Sequence, residues 1–432
     1  NMFNNSGITS ISIPATVMKI RDYAFSNCTE LSSIRFEASA VPLTIGFQSA
    51  SDLADQVGPF YQSPLTNIYV NRELVPSESY ADKRDQNDEG IFSTSFDDAV
   101  VTVTLGENVK TISDYMFTGV KMESLTIPGS VTTIGNDVFN GCDQLASITF
   151  EPSPTGEALT IGWNTDGTDE GLFVDCPLQT VKLYRQLEYG MTSEEFDEDY
   201  VPFAGKSLGN GVTLGEQVHT LLPYMFYNSR ITSLTIPGTV MEIKDNVFYN
   251  CKSLASVRFE AGSEPLTIGF QPGSNERGPF FQSPLTKIYV NRELVASEAY
   301  AAARDQWDEG IFSTSFYDDD DPKVTVTLQG NVKTISDYMF AGVQMETIWI
   351  PREVETICKG AFYYCSRLYG MTLAHTGPPT LIEDENGGAF KGTLLNNANL
   401  NNNERWIALE DGSDANIKAF KSARNWVYYA YI

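Results

Sequence analysis

The phrase LTIPGSVTTIGNDVFNGCDQL, which runs from Leu125 to Leu145, decides the fold of this 432-residue chain. Leu125 and Ile127 alternate with Thr126, which is the period-two pattern of a half-buried strand. Pro128 has no backbone N–H, so it ends that strand. The later apolar positions turn toward the same interior, and the polar residues between them form no second apolar face. The phrase therefore predicts one coil with a short inner strand and an irregular outer side.

The same phrase occurs four times along the chain. Its copies are ISIPATVMKIRDYAFSNCTEL from Ile11, LTIPGTVMEIKDNVFYNCKSL from Leu234 and IWIPREVETICKGAFYYCSRL from Ile348. The prolines of the four phrases are separated by 114, 109 and 114 residues. Other phrases recur between them, such as IYVNRELV at Ile68 and again at Ile288. We infer about four copies of a long unit, each holding roughly four shorter coils.

One coil buries too few apolar side chains to offset the entropy of ordering its backbone, so the coils must stack. Stacking predicts a β-rich repeat solenoid, a right-handed leucine-rich-repeat superhelix with one long parallel β-sheet and an irregular outer side. We count fifteen strands, centred on Ser12, Arg35, Tyr69, Thr104, Thr126, Thr149, Lys182, Thr213, Thr235, Arg258, Tyr289, Thr327, Trp349, Thr372 and Ala408.

These phrases resemble the BspA-like leucine-rich repeat proteins found on the surfaces of gut and oral anaerobes. The mark of that family is a short Ile/Leu strand, then Ile-Pro, Val-x-x-Ile, Ala-Phe-x-x-Cys and a Leu. The residues that match it in order are Ile13, Pro14, Val17, Ile20, Ala24, Phe25, Cys28 and Leu31. The resemblance implies a bacterial cell-surface or secreted protein with a binding or adhesion role, rather than an enzyme.

The chain divides into a long repeat region and a short closing region. Residues 1–395 form the solenoid, in about fourteen coils, and residue 1 lies inside a coil because Met2-Phe3 aligns with Met225-Phe226. Residues 396–432 form a closing coil and a capping helix, predicted over 414–426 from the spacing of its apolar residues.

The charge balance excludes some partners. The chain has 29 basic and 56 acidic residues, a net charge of −27, so it repels nucleic acid. No apolar run approaches the ~20 residues that span a bilayer.

The outward residue at the centre of each strand forms a column on the sheet face. This column has no acidic residue, although the chain as a whole is strongly acidic. It contains residue types that dominate the energetics of protein interfaces. The alternative, that aromatic residues and Thr simply favour strands, stays open. The predicted binding-face residues are Arg35, Tyr69, Lys182, Arg258, Tyr289 and Trp349.

The cysteines do not indicate chemistry. The equivalent residues Cys28, Cys142, Cys251 and Cys365 lie about four coils apart, on the order of 19 Å. Disulfides need Cα atoms within about 7 Å, so these four are predicted to be small buried side chains. Neither a catalytic triad nor a zinc-ligand spacing can be assembled, and we predict no catalytic residue and no cofactor.

Two insertions are rich in acidic residues. A solvated loop is the favoured interpretation, and weak calcium binding is the alternative. The candidate ligands are Glu194, Asp197, Asp199, Asp318 and Asp320.

Three functions follow from these patterns. The first is a monomeric extracellular or cell-surface protein that recognises another macromolecule, a protein, through its sheet face. The second is a glycan-binding module, since exposed aromatic residues on a rigid sheet stack on sugars. The third and most remote is a hydrolase with its site in the acidic insertions.

Overall fold

The structure is a computed structural model that describes residues 2–21, 23–46, 58–77, 90–92, 100–163, 171–190, 201–269, 278–297, 310–312, 322–382, 388–396, 405–423 and 426. It contains two compact units, residues 1–218 and 219–432.

All fifteen predicted strand centres lie within strands. These first-row strands alternate in chain order with a second row of shorter strands. In unit 1 they are β1 (Ser10–Ile13), β3 (Ser33–Phe36), β5 (Asn67–Val70), β7 (Thr102–Leu105), β9 (Ser124–Ile127), β11 (Ser147–Phe150), β13 (Thr180–Arg185) and β15 (Val212–Gln217). In unit 2 they are β17 (Ser233–Ile236), β19 (Ser256–Phe259), β21 (Lys287–Val290), β23 (Thr325–Leu328), β25 (Thr347–Ile350), β27 (Gly370–Leu373) and β29 (Trp406–Leu409).

The second row comes in part from the Val-x-x-Ile segments, as at Thr133–Ile134, and in part from other short segments, such as the Leu-Thr-Ile at Leu159–Ile161. Its strands are two or three residues long and also pair in parallel. In unit 1 they are β2 (Lys19–Ile20), β4 (Leu43–Ile45), β6 (Leu74–Pro76), β8 (Thr111–Ile112), β10 (Thr133–Ile134), β12 (Leu159–Ile161) and β14 (Leu187–Tyr189). In unit 2 they are β16 (Thr220–Leu221), β18 (Glu242–Ile243), β20 (Leu266–Ile268), β22 (Leu294–Ala296), β24 (Thr334–Ile335), β26 (Thr356–Ile357) and β28 (Thr380–Leu381).

The predicted β-rich repeat solenoid is confirmed, with one correction to its sheet. The first-row strands do not form one long parallel sheet. They form β1-β3-β5-β7 and β9-β11-β13-β15 in unit 1, and β17-β19-β21-β23 and β25-β27-β29 in unit 2. Each of these four sheets therefore begins at an Ile-Pro strand.

Proline explains where the sheets are interrupted. Within a sheet, the N–H that follows a strand donates to the last carbonyl of the preceding strand, as Glu37 does to Ile13 at 3.0 Å and Glu151 to Ile127 at 3.0 Å. Pro128 follows β9 in the way that Glu151 follows β11, but it has no N–H, so the corresponding bond to Leu105 cannot form. The long repeat unit of the sequence thus corresponds to one sheet.

The second row is interrupted between β6 and β8 in unit 1 and between β22 and β24 in unit 2. A serine side chain bridges each interruption. Ser113, which follows β8, donates its hydroxyl to the carbonyl of Leu74 in β6 at 2.6 Å. Ser336, which follows β24, donates to Leu294 in β22 at 2.5 Å. A side chain therefore replaces one backbone bond at each interruption.

A stack of phenylalanine rings fills the interior beside the strands. Successive rings lie 5.0–6.3 Å apart and nearly parallel through each unit. Tight turns flank these rings: Phe248 lies between Asn246 (φ 52°) and Asn250 (φ 59°), both in the left-handed region that Asn tolerates. In unit 1 the stack is Phe3, Phe25, Phe60, Phe92, Phe117, Phe139, Phe173 and Phe203. In unit 2 it is Phe226, Phe248, Phe280, Phe312, Phe340, Phe362 and Phe390.

The four equivalent cysteines are free and buried, as predicted, and each thiol donates to the carbonyl of a stacked phenylalanine. Cys251 donates to Phe226 at 3.0 Å, and Cys28, Cys142 and Cys365 make the same contact. Burial raises the pKa of the Cys251 thiol to about 12.

The closing helix, α1, is shorter than predicted. It spans Asp414–Ser422, and Ser413 caps its first turn by accepting a hydrogen bond from the N–H of Asn416. It ends before Ala423 because the backbone there is extended, with ψ 136°. Phe420 is buried against Trp426, with ring centroids 5.5 Å apart.

Candidate functional site

The most distinctive surface feature is an arginine stacked on a tyrosine, which occurs once among the described residues of each unit. Parallel pairing places Arg35 of β3 directly beside Tyr69 of β5, and Arg258 of β19 beside Tyr289 of β21. The guanidinium carbon lies 3.8 Å from the ring centroid in the first pair and 3.6 Å in the second. These are cation–π contacts between neighbouring strands.

A glutamate accepts a hydrogen bond from Nε of each arginine. Nε of Arg35 donates to Oε1 of Glu37 at 3.2 Å, and Nε of Arg258 donates to Oε1 of Glu260 at 2.5 Å. This hydrogen bond raises the pKa of Arg258 above its ordinary value. The glutamates lie two residues beyond the arginines, so strand alternation puts them on the same face. A ring and a carboxylate together fix each guanidinium while leaving about half of the Arg35 side chain (47%) exposed.

An asparagine pair extends the feature beside each tyrosine. Asn71, two residues after Tyr69, accepts a hydrogen bond from Nδ2 of Asn108 at 3.1 Å. In unit 2, Asn291 accepts from Nδ2 of Asn331 at 2.9 Å. We call each set of Arg, Tyr, Glu and Asn a sheet-face cluster. One cluster comprises Arg35, Tyr69, Glu37 and Asn71, and the other comprises Arg258, Tyr289, Glu260 and Asn291.

The other two predicted binding-face residues are not in these clusters. Lys182 is exposed on β13, and its row neighbours are Thr149 and Thr213. Trp349 on β25 is 45% exposed, and its Nε1 donates to Oε1 of Glu410 at 2.6 Å. The structure therefore brings four of the six predicted residues together, as two pairs.

The sequence interpretation missed the acidic residues of this face. The central column has no acid, but Glu37, Glu260 and Glu410 lie two residues beyond it and bind its Arg and Trp side chains. The signal was present as the repeated Arg-Phe-Glu at 35–37 and 258–260.

The buried arginines were also missed. Arg72, Arg185 and Arg292 follow first-row strands or end one, and each is fully enclosed. Arg72 donates to the carbonyls of Val17 at 3.0 Å and Val41 at 2.6 Å. Burial lowers the pKa of all three. Since their partners are backbone carbonyls of earlier coils, these residues stabilise the stack and do not contact a ligand.

The described ranges contain no candidate metal centre and no candidate membrane-spanning helix. Within them, no group of three or more His, Cys, Asp or Glu side chains could hold a metal ion. The calcium candidates Glu194, Asp197, Asp199, Asp318 and Asp320 lie outside those ranges. No helix in the described part of the chain is long and apolar enough to cross a membrane.

Comparison with protein families identifies the repeat. The family described as "BspA type Leucine rich repeat region" matches in six copies, over residues 1–49, 85–192, 200–299 and 310–409. The chain belongs to the BspA-type leucine-rich repeat family. The predicted resemblance is thereby confirmed over more than half of the chain.

Three solved structures are similar to this BspA-type protein. A leucine-rich repeat protein from Bacteroides ovatus is 17% identical, with a TM-score of 0.31 over 89% of this chain and 76% of the other. A leucine-rich cell surface protein from Faecalibacterium prausnitzii is 18% identical, with a TM-score of 0.24 over 96% and 83%. A leucine-rich repeat protein from Eubacterium ventriosum is 15% identical, with a TM-score of 0.22 over 92% and 87%. A search of curated proteins found no match.

Proposed function

We propose that this BspA-type protein is an extracellular or cell-surface binding protein, and that its two sheet-face clusters recognise another protein. The observation that carries the proposal is the repetition of one half-buried, four-residue surface arrangement at equivalent positions of the two units. Stability of the solenoid does not require an exposed Arg–Tyr pair, since the sheet β9-β11-β13-β15 has Thr and Lys in the same row.

The clusters have the chemistry of a protein interface. Arg and Tyr are enriched among the residues that contribute most to binding. Glu37 uses Nε of Arg35, and among the described residues none accepts a hydrogen bond from its two Nη atoms. A partner carboxylate could therefore bind the outer edge of the guanidinium without rearrangement of the side chain. The partner is expected to present acidic groups to the clusters.

The arrangement favours a protein over a glycan at these positions. Sugars stack on free aromatic faces, whereas Arg35 and Arg258 each cover one face of the neighbouring tyrosine. The glycan alternative rests on Trp349, whose indole is 45% exposed and is held by Glu410. A glycan array in which the Trp349→Ala variant loses a signal given by the wild type would support it.

A binding panel tests the proposal. Immobilised extracellular-matrix and mucosal proteins are probed with the wild type, with Tyr69→Ala/Tyr289→Ala, and with the control Tyr364→Ala. Tyr364 is 43% exposed but lies outside the strands, so its loss should leave binding intact. We expect at least one panel protein to retain the wild type and the control but not the double variant. The proposal would be contradicted if no panel protein retained the wild type, or if the wild type and both variants were retained equally.

We also predict that the free protein is a monomer and has no catalytic activity.

A further inference from the structure

We propose that unit 2 has a further binding site, a tryptophan platform on the sheet β25-β27-β29 that binds an uncharged glycan chain. The platform consists of Trp349 on β25 and Trp406 on β29, the two outer strands of this sheet. Both lie on the same face, because Trp349 shares a row with Ala408, two residues beyond Trp406. This site is separate from the sheet-face clusters and does not depend on their function.

The Trp349 side chain extends over the middle strand of the sheet. Its Nε1 donates to Oε1 of Glu410 at 2.6 Å, and Glu410 directly follows β29. Neighbouring strands lie about 4.8 Å apart, so β25 and β29 are separated by about 10 Å and the indole must cross β27 to make this bond. Trp349 is nevertheless 45% exposed. The hydrogen bond therefore fixes the position of the ring while part of its surface stays open to solvent.

The Trp406 side chain lies over the same middle strand, at Gly370. A β-carbon at Gly370 would lie 2.5 Å from Cζ2 and 2.6 Å from Cε2 of the indole, closer than van der Waals contact allows. Glycine inside a strand weakens it and marks a place where another group approaches the backbone closely. Gly370 is buried, and Trp406 is half-buried. The missing side chain of Gly370 is thus what allows this ring to lie against β27.

These three residues distinguish this sheet from the other first-row sheets. The position of Gly370 is a serine in each of the other three sheets, at Ser33, Ser147 and Ser256. The position of Trp406 is occupied there by Asn67, Thr180 and Lys287, and that of Trp349 by Ser12, Thr126 and Thr235. The repeat fold therefore requires neither indole. The glycine occurs in the one sheet where a ring occupies the space of the serine, which argues for a surface formed for a ligand.

The spacing of the two rings favours a chain of sugars over a single sugar. Trp406 lies at the row of Gly370 and Trp349 at the row of Thr372, two residues further along β27. These rows are about 7 Å apart. A ligand that contacts both rings must therefore extend along the strand direction, as an oligosaccharide does.

The charge of the platform selects an uncharged ligand. Glu410 is the one charged residue on the described part of this face, whose other members are Thr347, Trp349, Gly370, Thr372, Trp406 and Ala408. Oε2 of Glu410 has no hydrogen-bond partner and no ion pair among the described residues, so it can accept a hydrogen bond from a sugar hydroxyl. The same carboxylate repels uronic, sialic and sulfated sugars. Indole faces stack on the C–H faces of neutral sugars, which completes the match.

The probes are four hexasaccharides, each titrated calorimetrically into the full chain. Cellohexaose, xylohexaose and mannohexaose are uncharged, and hexagalacturonate is anionic. We expect saturable binding of at least one uncharged probe and none of hexagalacturonate. Trp349→Ala and Trp406→Ala should each weaken that binding about tenfold, as loss of one aromatic contact would. The control Trp163→Ala removes a half-buried indole in unit 1 and should bind as the wild type does.

The geometry of the platform is tested without removing either ring. Gly370→Ser introduces the residue of the other sheets, so the strand should fold, but its side chain displaces Trp406. We expect it to weaken glycan binding as much as Trp406→Ala does, with an unchanged circular dichroism spectrum. Tyr69→Ala/Tyr289→Ala should retain full glycan binding, which separates this site from the sheet-face clusters.

Four results would overturn the proposal. The first is that no uncharged hexasaccharide binds saturably, and the second is that hexagalacturonate binds as tightly as they do. The third is that Trp349→Ala and Trp406→Ala bind as Trp163→Ala does. The fourth is that Gly370→Ser binds as the wild type does.

Discussion

Arg292 donates a hydrogen bond to the carbonyl of Val240 at 2.8 Å, across two coils of unit 2. The same guanidinium donates to Glu264 at 2.6 Å, so one side chain joins three successive coils. Arg72 and Arg185 make matching contacts in unit 1. A repeat protein is stabilised mainly by contacts between neighbouring coils, and these arginines add contacts of longer reach.

Arg292→Lys is expected to reduce the free energy of unfolding by about 1–3 kcal/mol, because an ammonium cannot reach the separate carbonyls and leaves buried acceptors without donors. The free energy of unfolding is measured by urea denaturation, monitored by circular dichroism. Arg230→Lys, at an exposed position, serves as the control. Equal unfolding free energies for the two variants would show that the Arg292 contacts contribute nothing.

Truncation of a ring in the phenylalanine stack should reduce the free energy of unfolding more than Arg292→Lys does. Phe248→Ala removes a fully buried ring that lies 5.8 Å from Phe226 and 5.1 Å from Phe280. A loss of about 3–5 kcal/mol is expected from the cavity and the lost burial. Tyr364→Ala, which removes a 43% exposed ring in contact with Tyr363, should change stability by only about 1 kcal/mol. Thermal unfolding of both variants makes the comparison, and similar midpoints would exclude a structural role for the stack.

The buried thiol of Cys251 should make stability depend on alkaline pH. Its pKa is raised from 9.0 to about 12 by burial, so the folded chain keeps a proton that the unfolded chain releases. This contribution is full below pH 9 and is lost as the pH rises toward 12, at up to about 1.4 kcal/mol per pH unit. Cys251→Ser removes the titrating group and should give a shallower fall in unfolding free energy between pH 9 and 10.5. Identical slopes would contradict a buried, protonated thiol.

Much of the fold could be predicted because each coil repeats a local pattern. The alternation in phrases such as Leu125-Thr126-Ile127 located every first-row strand. The second-row strands were not predicted, since two residues such as Thr133–Ile134 are too few to show a period. Pro128 was interpreted only as the end of its own strand, although it also removes the donor to the preceding strand and so interrupts the sheet.

The sheet-face clusters could be predicted only in part from the sequence, because their side-chain contacts do not follow from the repeat. Arg35 and Tyr69 could be placed in one column because strand register follows from the repeat. Their stacking, and the hydrogen bond to Glu37, depend on side-chain conformation rather than on spacing. The buried role of Arg72 depends on carbonyls more than fifty residues upstream in the chain, to which no periodic signal points.

The role of the duplicated clusters is tested most directly by stoichiometry. A protein ligand taken from the binding panel is titrated calorimetrically into the wild type, Tyr69→Ala and Tyr69→Ala/Tyr289→Ala. One cluster per unit predicts two ligands per wild-type chain, one for the single variant and none for the double variant. Undiminished binding to the double variant, with the fold intact by circular dichroism, would contradict the account.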